Sequence, residues 1–230
     1  MVAVLIVSTS ANNWGEGNST GVWLEEVACP YYLFKEKGYQ VDICSIAGGK
    51  VPIDAGSLAD NFQTEHTRKF LAESSELLDK TLKLGDLLPD LVSKYSCIYL
   101  AGGHGTITDF PDDPALKQSV ESMFAAGKVV AADCHGPVGF VNCKKPNGEP
   151  LVKGLRVTGF SNTEETQVGH IDAMKKGGYI ILEDKFKEQG GSFEAADPWV
   201  SFAVADKNLV TGQNPQSSAE CANKCMELIK

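Results

Sequence analysis

Runs of mainly apolar residues, each followed by a polar stretch, predict strands buried in a parallel sheet. Such strands are apolar along their length because both of their faces are covered. The runs with this pattern are 2–7, 40–46, 98–101 and 129–132. Apolar residues at helical spacing predict helices over 21–37, most of 57–88, and 114–126. This alternation predicts an α/β fold that is flavodoxin-like and doubly wound, with a mainly parallel sheet and helices on both faces.

The last third of the chain predicts shorter elements. The predicted strands are 155–160, 179–183 and 193–196, and two further runs, 201–205 and 209–212, form a small additional hairpin. A terminal helix is predicted over 215–230. No long repeat or linker interrupts the pattern, so the length of 230 residues is consistent with a single domain.

Charge and cysteine content narrow the class of protein. The net charge is −9 and the pI is near 5.0, which argues against nucleic acid or an anionic membrane as the main partner. The first apolar run has no basic segment before it, so we interpret it as a strand and not as a signal peptide. The seven cysteines include no CxxC pair. This pattern predicts a cytoplasmic protein with free thiols.

Cys134 is the main candidate for chemistry. It ends an apolar strand, His135 and Gly136 follow as a turn, and Pro137 suits the first turn of a helix. This is the pattern of a nucleophile elbow, in which a sharp strand-to-helix turn presents a reactive side chain. A helix N-terminus stabilises an anion, so the pattern predicts a thiol pKa below the usual value of about 8.5. The alternative is a buried core cysteine.

The predicted helix 21–37 begins apolar on nearly all sides, which makes Glu25 and Glu26 unusual. At least one of them should be poorly solvated, and burial raises the pKa of a carboxyl group. Pro30 removes a backbone donor and predicts a kink. The alternative places both glutamates on a strip facing solvent. Cys221 and Cys225 share a face of the terminal helix, where packing is a better explanation than metal binding.

The strand over 98–101 runs into Gly102-Gly103-His104-Gly105. Glycines at a strand end allow backbone amides to approach a ligand closely. The segment matches neither a dinucleotide fingerprint nor a Walker loop. His104 itself is interpreted as a structural loop residue. Glu164 and Glu165 lie in the first turn of a predicted helix, and this placement does not distinguish between them.

Motifs spread along the chain resemble the ThiJ/PfpI superfamily, which has the class I glutamine-amidotransferase-like fold. Within it, the chain resembles the heat-shock-protein-31-like branch of glutathione-independent glyoxalases, or glyoxalase III. The matching segments are 20–26 with Pro30, 101–106 with Asp109 and Pro111, 134–137, 157–160, 165–166, and 209–212 with Asn214 and Pro215. The resemblance implies one domain over 1–230.

The resemblance also implies roles for individual residues. Cys134 matches the nucleophile, His135 the adjacent catalytic histidine, and Glu165 the carboxylate that orients it. Glu26 matches the helix carboxyl that contacts the sulfur. The amides of Gly103 and His135 match an oxyanion hole. No metal or cofactor is implied, and the chain is expected to form a homodimer.

The implied activity is that of a lyase that converts methylglyoxal, a small 2-oxoaldehyde, and water to lactate through a hemithioacetal and an enediolate. A protein deglycase would use the same cysteine. A non-enzymatic stress protein, either a redox sensor or a holdase chaperone, is the alternative from another class. Two features depart from the family pattern: Asp133, whose carboxylate would raise the thiol pKa, and segment 48–60, which could shape the mouth of the pocket.

Overall fold

The computed structural model describes residues 2–15 and 17–230, which form a central seven-stranded sheet with two small two-stranded sheets beside it. In the central sheet the strand order is β10-β11-β7-β6-β1-β4-β5, and all neighbours are parallel except β10 and β11. The strands are β1 (Ala3–Ser8), β2 (Asn13–Trp14), β3 (Asn18–Ser19), β4 (Gln40–Ser45), β5 (Leu82–Lys83), β6 (Cys97–Leu100), β7 (Val129–Asp133), β8 (Arg156–Val157), β9 (Ser192–Phe193), β10 (Ala203–Asp206) and β11 (Leu209–Gly212).

Helices cover both faces of the central sheet. They are α1 (Glu25–Glu36), α2 (Glu65–Glu73), α3 (Leu84–Leu87), α4 (Leu91–Lys94), α5 (Thr106–Asp109), α6 (Pro114–Ala125), α7 (Asn162–Gln167), α8 (Ile171–Lys176), α9 (Leu182–Glu188) and α10 (Ser218–Leu228). The predicted fold class, including the hairpin of β10 and β11, is confirmed.

Two cores follow from the alternation of side chains along the buried strands. In β1, Leu5 and Val7 face the core that includes α3, α4 and α6. Val4 and Ile6 face the opposite core, which contains α1, α2 and α10. Because both faces are covered, the central strands are buried along their full length, as their uninterrupted apolar sequence predicts.

Several predicted element bounds are wrong. The helix predicted from Gly21 begins at Glu25, and the Thr20 hydroxyl, which precedes the predicted start, donates to Asp54 Oδ2 at 2.7 Å. Segment 57–88 is divided into short helical pieces and the edge strand β5. Of the strand predicted over 155–160, only β8 forms, and of 193–196 only Phe193 lies in a strand.

The strand predicted over 179–183 is absent, and α9 begins there instead. Its apolar residues Leu182 and Phe186 are spaced by one helical turn and pack into the first core. A short apolar run does not distinguish a strand from a buried helix, which is why this prediction failed. Within the described part of the chain, no helix is long and apolar enough to cross a bilayer.

Candidate active site

Cys134 follows β7 in a strained backbone conformation, with φ of 56°. Non-glycine residues rarely adopt this left-handed region. The conformation is held by hydrogen bonds, because the Cys134 amide donates to Gly212 O at 3.0 Å and its carbonyl accepts from the Phe160 amide at 2.8 Å. The chain then enters a 3-10 turn, Gly136–Phe140, with Pro137 near its start. The predicted elbow is present.

A hydrogen-bond relay connects the thiol to an acidic residue. Cys134 Sγ lies 3.4 Å from His135 Nδ1, and His135 Nε2 lies 2.9 Å from Glu165 Oε2. A carboxylate only accepts, so this contact places the imidazole proton on Nε2 and leaves the Nδ1 lone pair facing the thiol. Burial alone would raise the pKa of Glu165, but the neighbouring imidazoles hold it well below its ordinary value. Glu165 is therefore the ionised member of the relay.

His104 shares the same carboxylate, which corrects its interpretation as a structural loop residue. Its Nε2 lies 2.9 Å from Glu165 Oε1, and its ring centroid is 4.0 Å from that of His135. Burial and the neighbouring His135 lower the His104 pKa. Each oxygen of Glu165 thus accepts from one imidazole. Sequence reasoning missed this role because β6 and the start of α7, which position the two groups, are distant along the chain.

Glu26 lies on the first turn of α1 and is fully buried. Its Oε2 accepts the Gly102 amide at 2.7 Å, while Oε1 has no hydrogen-bond partner among the described residues. Burial, together with Asp133, raises the Glu26 pKa well above its ordinary value, and this carboxyl interacts with the Cys134 thiol. The predicted under-solvated carboxyl is confirmed and is assigned to Glu26.

The structure corrects the predicted low pKa of the Cys134 thiol. Burial and the adjacent carboxyl groups of Glu26 and Asp133 raise this pKa. The turn that follows the cysteine is a five-residue 3-10 helix, too short for a strong dipole. A base that takes the thiol proton therefore assists the reaction of this sulfur. As predicted, the Asp133 carboxyl contributes to raising the pKa of the Cys134 thiol.

Two backbone amides are free near the sulfur. Neither Gly103 N nor His135 N donates to an acceptor within residues 2–15 and 17–230. Gly103 has φ of 95°, and a Cβ there would lie 2.4 Å from Gly21 O, so only glycine fits this close approach. Free amides of this kind can stabilise an oxyanion.

The sulfur and the two imidazoles face a cavity of about 170 Å³. Its walls are mostly aromatic and apolar, formed by Trp23, Phe62, Phe160, Val168, Trp199 and Pro215. A water molecule occupies about 30 Å³ in the liquid, and drug-sized ligands fill about 300–1,000 Å³. The cavity therefore suits a small, uncharged substrate. Among the described residues none of 48–60 lines it, although Phe62, two residues beyond that segment, does.

Glu164 and Glu165 have different surroundings despite being adjacent. Glu164 Oε2 accepts from Ser161, and its Oε1 accepts from the Trp199 amide and the Asn214 side chain. These bonds join three segments of the chain, so Glu164 holds the cavity wall together. Glu165 alone reaches the imidazoles. The geometry therefore distinguishes the two glutamates where the sequence pattern could not.

His104 is expected to position Glu165. His104→Ala should lower kcat/KM about 10-fold or more, because a hydrogen bond to a charged group is worth about 1.5–3 kcal/mol. His104→Gln retains an N–H donor and should recover part of that loss. The measurement is the steady-state rate of lactate formation from methylglyoxal, the activity that the family resemblance implies, for both variants at matched thermal stability. Equal activities of the Ala and Gln variants would contradict a positioning role.

Asp133 should make the protein less stable at high pH. Its carboxyl is buried and accepts from Ser218 Oγ at 2.6 Å, and burial raises its pKa from 3.8 to about 7. Between these values the folded protein holds a proton that the unfolded chain has lost, so the free energy of unfolding falls as the pH rises.

Asparagine fills the same space without this titration. Asp133→Asn should therefore raise the free energy of unfolding above pH 7 by about 2–4 kcal/mol relative to wild type, with a smaller difference near pH 4. Urea titrations at pH 4 and pH 8 measure the effect, and the exposed Asp172→Asn serves as the control. If Asp133→Asn changed the free energy of unfolding equally at both pH values, the titration of Asp133 would not be the cause of the change.

The sequence profile of the DJ-1/PfpI family matches residues 19–228. Glyoxalase 3 of Candida albicans is 35% identical over 229 residues, covering 96% of each chain. Glutathione-independent glyoxalase HSP31 of Saccharomyces cerevisiae is 32% identical over 232 residues, which are 99% of this chain and 98% of that one. The crystal structure of glyoxalase III from Candida albicans has a TM-score of 0.91 at 32% identity, covering 100% of this chain and 98% of that one.

This chain therefore belongs to the DJ-1/PfpI family. The relatives carry the names of the branch that its motifs resemble, so the predicted resemblance is confirmed. The shared fold agrees with the strand order described above.

Proposed function

We propose that this protein is a glutathione-independent glyoxalase that converts methylglyoxal and water to lactate. The observation that carries the proposal is the relay of Cys134, His135 and Glu165 at the floor of a small, mostly apolar cavity. The names of the relatives at 32–35% identity support the same activity. A thiol, a base and oxyanion donors supply the chemistry that the reaction needs.

In the first step the thiol is activated and attacks. His135 Nδ1 accepts the proton of Cys134, and Glu165 stabilises the imidazolium that forms. The sulfur then forms a bond to the aldehyde carbon, whose oxygen becomes an alkoxide. The amides of Gly103 and His135 stabilise this charge, and the His135 imidazolium returns its proton to the oxygen, which completes the hemithioacetal and restores the neutral base. Because the thiol pKa is raised, transfer of its proton to His135 is part of this step.

The second step moves hydrogen between two carbons. His135 removes the proton from the former aldehyde carbon to form an enediolate, and the neighbouring carbon is then protonated. One carbon is oxidised and the other reduced, so no external oxidant or reductant is consumed. The product is a lactyl thioester, which water hydrolyses to lactate with return of the Cys134 thiol. Glu26, beside the sulfur, is placed to stabilise the sulfur-bound intermediates.

Burial of Cys134 favours an enzyme over a redox sensor. Sensor cysteines combine a low pKa with exposure to oxidant, whereas Cys134 is 3% exposed and its pKa is raised. A deglycase would use the same groups, but the cavity of about 170 Å³ fits a free three-carbon substrate better than a glycated protein side chain.

The test is lactate formation from methylglyoxal by the purified wild-type protein without glutathione. Sustained turnover, with one lactate per methylglyoxal consumed, is the expected result. A deglycase would instead release lactate from preformed methylglyoxal adducts faster than it consumes the free aldehyde. Absence of both activities, together with suppression of client aggregation that survives Cys134→Ala, would favour the chaperone alternative.

We also propose a cytoplasmic location and a homodimer. The seven cysteines are all free and buried, as expected in a reducing compartment, and the family resemblance implies the dimer. Size-exclusion chromatography with light scattering tests the oligomeric state.

A further inference from the structure

A second group of chemically reactive side chains lies outside the cavity, where α1 meets α2. It contains Glu25, Cys29 and His66, whose ligand atoms all lie within 4.8 Å of one another. Glu25 and Cys29 are separated by one turn of α1, so they share a helix face. His66 reaches them from the first turn of α2. None of these three side chains takes part in the proposed reaction.

We propose that Glu25, Cys29 and His66 bind a zinc ion. A thiolate, an imidazole and a carboxylate form a donor set that suits zinc, and three protein ligands leave a fourth position for water. Zinc–ligand distances of about 2.0–2.3 Å place tetrahedral donors about 3.5 Å apart. Since no two of these ligand atoms are more than 4.8 Å apart, they have to approach by no more than about 1.3 Å, which the partly exposed His66 can provide by a side-chain rotation.

The surroundings of the group supply outer-shell support. Thr64 Oγ1 donates to Glu25 Oε2 at 2.6 Å, which orients the carboxylate. Such outer contacts fix the orientation of metal ligands. Glu25 and Thr64 also line a surface cavity of about 310 Å³, which gives an entry path to the Glu25 side of the group.

Charge is balanced at the site. Zinc would displace the proton of the Cys29 thiol, and the resulting thiolate and the Glu25 carboxylate together neutralise the divalent ion. This neutralisation offsets the unfavourable position of a cation near the N-terminus of α1. The ion would join α1 to α2 and hold the helix turn that also carries Glu26.

Cobalt(II) is the probe, because a thiolate bound to it produces a charge-transfer band in the near ultraviolet. We expect one equivalent of Co²⁺ to produce this band in the wild-type protein, and excess Zn²⁺ to remove it. The band should persist in Cys134→Ser, which removes the active-site sulfur, and in Cys44→Ser, which removes another buried thiol. It should be lost in Cys29→Ser and in His66→Ala.

A band that disappears in Cys134→Ser, or survives in Cys29→Ser, would overturn the proposal, as would its absence in the wild type. His66→Ala keeps the test valid if Cys29→Ser fails to fold, because His66 is partly exposed. Zn²⁺ at about 100-fold above its dissociation constant should also raise the melting temperature by about 5 °C in wild type, but not in His66→Ala. Neither readout depends on turnover, so a failed lactate assay leaves this inference unaffected.

Discussion

Cys134→Ser is expected to abolish lactate formation, with kcat/KM falling about 10⁴-fold or more. The substitution changes the backbone little, but a hydroxyl loses its proton far less readily than a thiol and is a weaker nucleophile in this buried setting. Burial and the neighbouring carboxyl groups already raise the pKa of the native thiol, so a serine at this position would face an even larger barrier to ionisation. The measurement is the initial rate of lactate production over a series of methylglyoxal concentrations that extends well below KM, which gives kcat/KM.

Cys143→Ser is the matched control for this prediction. Cys143 is also buried and follows the same 3-10 turn, but its Sγ donates to Gly139 O at 3.2 Å and does not line the cavity. A serine hydroxyl can make the same bond, so turnover should remain near the wild-type value. If Cys134→Ser remains active, or if Cys143→Ser loses as much activity, Cys134 is not the nucleophile.

His135→Ala is expected to lower kcat/KM by about 10²–10⁴-fold, the usual contribution of general acid–base catalysis. The same imidazole removes the thiol proton and moves hydrogen between the two substrate carbons, so both steps should slow. Glu165→Gln should cause a loss in the same range, because the amide no longer stabilises the imidazolium. Since the three groups act as one unit, the double variant should be scarcely slower than His135→Ala alone.

His170→Ala provides the control for the histidine variants. Its ring centroid lies 4.8 Å from that of His104, but it does not line the cavity. Its turnover should therefore stay within a few-fold of wild type. Alkylation of Cys134 that is slower in His135→Ala than in wild type would give an independent measure of thiol activation. Retention of full turnover by His135→Ala would exclude it as the base.

Much of the fold was predictable from the sequence, for a local reason. The central strands are covered on both faces, so they are apolar along their length, and a polar stretch follows each of them. Predictions failed at α9 because a short apolar run fits either a strand or a buried helix. They also failed between α2 and β5, where short helical segments pack against the rest of the domain. Those segments take their structure from their neighbours.

The sequence by itself determined the elbow at Cys134, the adjacent His135 and the unusual carboxyl of α1, because each depends on residues close together along the chain. The family resemblance had already paired Glu165 with His135, but only the tertiary structure decided that His104 shares this carboxylate and that burial raises the pKa of the thiol. These properties depend on distances and solvent exclusion between segments that are remote in sequence. Such quantities are set by how the layers pack, and local patterns do not encode them.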